Sequence, residues 1–161
     1  MKKLEQIKVG IADYKITQAP NRLITVGLGS CVGIALFNQK QKTGSLLHVM
    51  LPDSSTFKDT TKWPKFADLA IPKVAQEIAG ENTKDLVAKI AGGASLFKSN
   101  SSNKSLQIGK RNIEMVKHTL DELNIPILGE HVGGDSGRTM IVDLETFDVT
   151  VRMVNRDIYN I

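Results

Sequence analysis

Two isolated helical periodicities interrupt a chain that otherwise reads as short strands between glycine-rich or polar turns. Leu23 to Leu28, Val32 to Phe37 and Leu46 to Leu51 are apolar runs of strand length, rich in β-branched residues. Asn38 to Gly44, NQKQKTG, is polar and ends in glycine, as hairpin loops do. Ser54 to Pro64 is polar and irregular and reads as a loop. The period then turns helical, with Phe66, Leu69, Ala70, Val74 and Ile78 on one face and Gly80 as the stop. Pro72 is tolerated only in a first turn, so this helix is expected to begin later than its apolar face does. Leu86 to Ala91 reads as a strand running into Gly92-Gly93. The soft segment SNSSNKS, Ser99 to Ser105, reads as a surface loop. Ile113, Val116, Leu120 and Leu123 mark a second helix over about Lys110 to Leu123, which Pro126 blocks from extending. Ile127 to Val132, Thr139 to Leu144 and Val149 to Val154 are further strands. The order strands, helix, strand, helix, strands predicts an α/β sandwich with a largely antiparallel sheet. It excludes a regular doubly wound fold, because the first and last strands follow one another without helices between.

The 161 residues fit one domain, and 41% hydrophobic content supports one ordinary core. Aromatic residues make up 5%, so aliphatic side chains must fill most of it. No apolar run approaches the roughly eighteen residues of a membrane span. MKKLEQIKVG opens with two adjacent lysines and has no apolar stretch behind them, so it is not a secretory signal. A soluble cytoplasmic protein is the expectation. The net charge is +4, but the lysines and arginines are scattered and no aromatic residues interleave with them, as a nucleic-acid platform would require. A solvated surface is the favoured reading, and a basic face for an acidic protein partner is the other.

The only cysteine is Cys31, at the end of LITVGLGSC. A lone cysteine forms no internal disulfide, and no Cys/His group has zinc spacing, so no metal site is expected. A thiol that acts as a nucleophile needs a base, an oxyanion site and room for substrate. Gly29 and Ser30 bring small side chains and bare backbone to the residue before Cys31, and amides in such a turn can face an oxyanion. The plainer alternative is a small buried hydrophobe.

His48, in the otherwise apolar LLHVML, is the first choice of base. Its alternative role is a core histidine bonded to a backbone carbonyl. His131, in ILGEHVGG, ranks below it. His118 lies about 140° around its helix from Ile113 and reads as solvated. Thr25 shares a strand face with Leu23 and Gly27, where its hydroxyl could orient an imidazole; β-propensity explains it equally well. If residues 38 and 45 close the hairpin, His48 faces Ala35 and Cys31 faces Pro52. The two side chains then share a face but stand roughly 13 Å apart. A bulge, a register shift or a sharp turn is needed to bring them together.

TVGLGSCVGIAL, LHVMLPDS, KIAGGASLF, IGKRNIEMV and IPILGEHVGGDSGRTMIVDLET follow one another between about Ile7 and Val154. Together they resemble the chemoreceptor glutamine deamidases, the CheD family of bacterial chemotaxis. The resemblance implies one deamidase domain over residues 1–161. Its fold is an α/β (α+β) sandwich of antiparallel or mixed sheets with two or three helices, similar to toxin deamidases with a Cys-His site. The implied reaction hydrolyses side-chain amides of selected glutamines in methyl-accepting chemotaxis receptors, giving glutamate and ammonia. The family's nucleophile falls on Cys31, its base on His48 and its supporting threonine on Thr25. Backbone near Gly29, Ser30 and Cys31 would hold the oxyanion, with no metal or organic cofactor. The implied partners are receptors and a CheC-type phosphatase.

Three features depart from the family pattern: Phe147-Asp148 where a glycine is usual, a long Ser99 to Ser105 loop, and His131 where a small polar or acidic residue is usual. They bear on partner choice more than on chemistry. A non-catalytic regulator of a chemotaxis phosphatase and a different thiol hydrolase are the competing readings.

Overall fold

The run VGIALFN has no polar face, so a strand made from it needs cover on both sides. In the computed structural model, which describes residues 3–95 and 107–161, it forms β4 (Val32–Asn38). Every residue of β4 is buried. Val32, Ile34 and Leu36 pack under α1 (Ala67–Ala79) and α2 (Ile108–Glu122). Ala35 and Phe37, on the other face, pack into a second core.

β4 is the middle of a central sheet ordered β2 (Tyr14–Gln18), β5 (Thr43–Val49), β4, β6 (Leu86–Gly92), β7 (Ile127–Val132). The outer sheet is ordered β1 (Gln6–Lys8), β3 (Arg22–Leu28), β8 (Arg138–Asp143), β9 (Val149–Met153), β10 (Ile158–Asn160). Pairs β1–β3 and β6–β7 are parallel and the remaining pairs antiparallel. The result is three layers, helices over the central sheet over the outer sheet, an α+β sandwich with mixed sheets. Leu23, Leu28, Met140, Val142, Val149 and Val151 line the inner face of the outer sheet and meet Ala35, Leu46, Val87 and Ala91 across the sandwich.

The β4–β5 hairpin departs from the expected register. Asn38 pairs with Thr43 rather than with Ser45, so β5 begins three residues before Leu46 and ends at Val49. The cause is the Asn38 side chain. Its Oδ1 accepts from the amides of Lys40 and Gln41 at 3.1 Å each, which folds a four-residue turn that Lys42 closes with φ 52°. Leu51 makes only an isolated bridge, to Phe66.

Pro72 also departs from expectation. Helix α1 begins at Ala67, and Pro72 sits inside it. The missing N–H costs about 3 kcal/mol in an exposed helix. Here Ala67, Ala70, Ile71, Val74, Ala75 and Ile78 are buried on the face between α2 and the central sheet, and that burial outweighs the loss. Three short strands, β1, β2 and β10, have mostly exposed or half-buried residues and no apolar alternation to announce them. The Ser99 to Ser105 segment lies outside the described residues.

Candidate active site

A buried polar contact joins the outer and central sheets between Thr25 on β3 and His48 on β5. Both residues are fully buried. Thr25 Oγ1 lies 2.7 Å from His48 Nδ1 and 2.8 Å from the carbonyl oxygen of Val9. A carbonyl only accepts, so the single hydroxyl proton goes to Val9. Thr25 therefore accepts from His48, which fixes the imidazole as the Nδ1–H tautomer and leaves a lone pair on Nε2. That atom has no hydrogen-bond partner among the described residues, the Cys31 thiol included. Burial pushes the His48 pKa down to about 4, so the ring is neutral at pH 7.

The observed register removes about half of the separation expected between Cys31 and His48. His48 stands opposite Gly33, which places Cys31 on the adjacent diagonal, roughly 7–8 Å away between backbone positions. Gly33 puts no side chain between them. Cys31 is half-buried and packs on the inner core, the same side of the central sheet as Thr25. Burial pushes its thiol pKa up, opposed in part by its own backbone N–H. The resting pair is therefore a neutral thiol and a neutral imidazole.

A bulge in β3 shapes the approach to Cys31. Thr25 pairs with Met140 but Leu28 with Arg138, so Val26 and Gly27 together oppose one residue of β8. Gly27 has φ 72°, and an added Cβ there would meet nothing within 4 Å; the backbone angle, not space, calls for glycine. Beyond the bulge the chain turns through Gly29 and Ser30 to Cys31. The carbonyl of Gly29 accepts from Ala94 N–H and that of Cys31 from Gly93 N–H, both at 2.8 Å. Gly92, with φ 109°, lets this happen, because a Cβ there would collide with the Cys31 carbonyl oxygen. Among the described residues neither the Ser30 nor the Cys31 amide N–H meets a backbone acceptor. Met50, next along from His48 and Val49, is 38% exposed beside the turn.

His131 and His118 are elsewhere. His131 Nδ1 accepts from Arg138 at 2.8 Å, and its ring lies against Tyr159 with centroids 4.5 Å apart. Burial and the Arg138 charge both lower its pKa. His118 is exposed on α2 and pairs with Glu122. A hollow of about 500 Å³ between Gln6, Arg22, Asp143, Asp148 and Asn160 lies on the outer sheet and includes none of Thr25, Cys31 and His48.

Two further residues support the turn, and the sequence reading missed both. Asn112 is fully buried on α2 and reaches the carbonyls of Ser30 and Met50. Its signal was a polar side chain four residues before Val116, on the apolar stripe. Arg138, 3% exposed, donates to the carbonyls of His131, Gly133 and Ser136. It thereby holds residues 133–136, whose Gly133 N–H and Gly134 carbonyl bond to Gly92 and Ser95. No local pattern marks an arginine that will be buried at a strand start.

The family model described as CheD chemotactic sensory transduction matches residues 50–153. A Moorella thermoacetica protein named "Probable chemoreceptor glutamine deamidase CheD" is 52% identical over 157 residues, covering 96% of this chain and 94% of that protein. The chain belongs to the CheD family. Its CheD relatives of the same name in Desulforamulus reducens and Clostridium acetobutylicum are 50% and 48% identical, covering 92% and 98% of the chain and 91% and 96% of their own lengths. The CheD family match begins after His48, whereas these CheD relatives align over nearly the whole chain. No helix among the described residues is long and apolar enough to cross a membrane.

Proposed function

We propose that this protein hydrolyses the side-chain amides of particular glutamines in the cytoplasmic region of chemoreceptors, working in the cytoplasm with Cys31 as nucleophile, His48 as base and Thr25 as the group that orients His48. The observation that carries the reading is the Thr25–His48 hydrogen bond, which commits Nδ1 as a donor and leaves Nε2 basic on the Cys31 side of the sandwich. Family membership and the printed names of the relatives support the substrate class.

Both groups rest neutral, so proton transfer accompanies attack rather than preceding it. His48 Nε2 takes the thiol proton as sulfur bonds to the glutamine Cδ. The amide N–H groups of Ser30 and Cys31 face the developing oxyanion. The carbon–nitrogen bond breaks, and the His48 proton leaves with the nitrogen as ammonia. An imidazolium whose pKa is near 4 gives up that proton readily. Water then attacks the thioester, its proton passes through His48 to the leaving sulfur, and glutamate is released.

Binding of a CheC-type phosphatase belongs to the same proposal, on family likeness. Mass spectrometry of a receptor cytoplasmic fragment incubated with wild type or Cys31→Ala tests the enzyme. Conversion of discrete glutamines by the wild type alone supports it. No conversion by either across several receptors, with the phosphatase still bound, favours the regulator.

A further inference from the structure

We infer that Asn112 is a positioning residue, which locks the Ser30–Cys31 peptide so that the Cys31 N–H faces the reacting carbonyl. The inference deepens the deamidase reading and rests on it for the role of Cys31. It begins with an amide in an unusual place. Asn112 is fully buried on the core-facing stripe of α2, in line with Val116 and Leu120. Its Nδ2 donates to the Ser30 carbonyl at 2.9 Å and to the Met50 carbonyl at 3.0 Å. Both acceptors are carbonyls, so only the NH2 end of the side chain can face them, and both of its protons are committed.

Those two carbonyls are not arbitrary. One precedes the nucleophile directly. The other lies two residues after His48, at the end of β5. A single side chain therefore ties the nucleophile turn to the strand of the base. A trans peptide points its C=O and N–H in opposite directions. The Ser30 oxygen faces Asn112 in the helix layer, so the Cys31 N–H faces away from it. That is the side on which the Cys31 side chain packs, against the inner core. The downward influence of the Cys31 amide on its own thiol is consistent with that placement. The next peptide is held independently, by Gly93 N–H on the Cys31 carbonyl. Desolvation of an amide inside an apolar stripe is costly, and packing alone would be served as well by leucine.

The test compares two reactions of Cys31 that need no receptor. Acylation by p-nitrophenyl acetate passes through a tetrahedral oxyanion: the thiolate adds to the ester carbonyl and p-nitrophenolate leaves. Alkylation by iodoacetamide displaces iodide at a saturated carbon and forms no oxyanion. In Asn112→Ala the acylation rate is expected to fall about 10- to 100-fold, with alkylation changed by less than about threefold. Asn112→Leu fills the stripe and removes the donor, and the same split is expected. It is the variant to read if alkylation of Asn112→Ala jumps to the rate of an unfolded thiol. An unchanged ratio of acylation to alkylation in the folded variant, or an equal fall in both, overturns the inference. If the wild type acylates and the variants do not, yet no receptor glutamine is converted, the inference stands and the receptor reading fails. If receptors are converted, kcat should fall in the variants with KM unchanged.

Discussion

Thr25 Oγ1 and His48 Nδ1 meet at 2.7 Å across the two sheets, and the hydroxyl proton is already given to Val9. Thr25→Val removes the acceptor and frees the imidazole to change tautomer. It should lower kcat about 10- to 100-fold and cost about 1–3 kcal/mol, because buried polar groups lose their partner. Thr25→Ser should restore most of both. Deamidation kinetics and urea unfolding of the two variants check this, and a Thr25→Val enzyme with wild-type kcat would remove Thr25 from the mechanism.

His48 makes stability depend on pH in a definite direction. Its pKa is about 4 when folded and near 6.5 when unfolded, so below pH 6.5 the unfolded chain binds a proton that the folded one refuses. Its contribution is fully present above pH 6.5 and is lost as pH falls towards 4. Between pH 7 and pH 4.5 the loss is about 2–3 kcal/mol beyond that of His48→Gln. Equal pH slopes for the two proteins in urea titrations would contradict the burial argument.

The same two environments predict how the thiol titrates. Burial raises the Cys31 pKa above its ordinary value, so alkylation by iodoacetamide should climb steadily through pH 9. A preformed thiolate–imidazolium pair would instead give a plateau between pH 5 and 8. Rates of carboxamidomethylation across that range tell the two apart.

Gly92 and Gly27 both have positive φ, yet they should respond differently to alanine. At Gly27 an added methyl has open space, so only the backbone angle is disturbed, at about 1 kcal/mol. At Gly92 the methyl meets the Cys31 carbonyl and must move the turn that carries Cys31. Gly92→Ala should therefore lose more stability and most of its activity, whereas Gly27→Ala should keep a folded, active enzyme. Thermal melts alongside deamidation rates decide it, and equal losses would mean that the Gly92–Cys31 contact does not matter.

Much of the candidate site was visible locally because each residue contradicted its surroundings. Cys31 followed glycines that packing did not need, and His48 interrupted an apolar strand. Asn112 broke an apolar stripe in the same way, but its meaning depended on Ser30 and Met50, both more than sixty residues earlier. The short strands β1, β2 and β10 were hidden because edge strands bury little and so need no alternation.

By itself the sequence determined the two helices and the order of the longer strands β3 to β9, since a period of two or of 3.6 is a property of neighbouring residues. It also marked Cys31, His48 and Thr25 as the candidates for chemistry. Tertiary structure alone decided that His48 faces Gly33 rather than Ala35, that Pro72 is absorbed inside α1, and that two sheets rather than one close over Thr25. Register and layering arise from contacts between residues far apart in the chain. There an Asn38 turn, a buried face or a single hydrogen bond outweighs local preference.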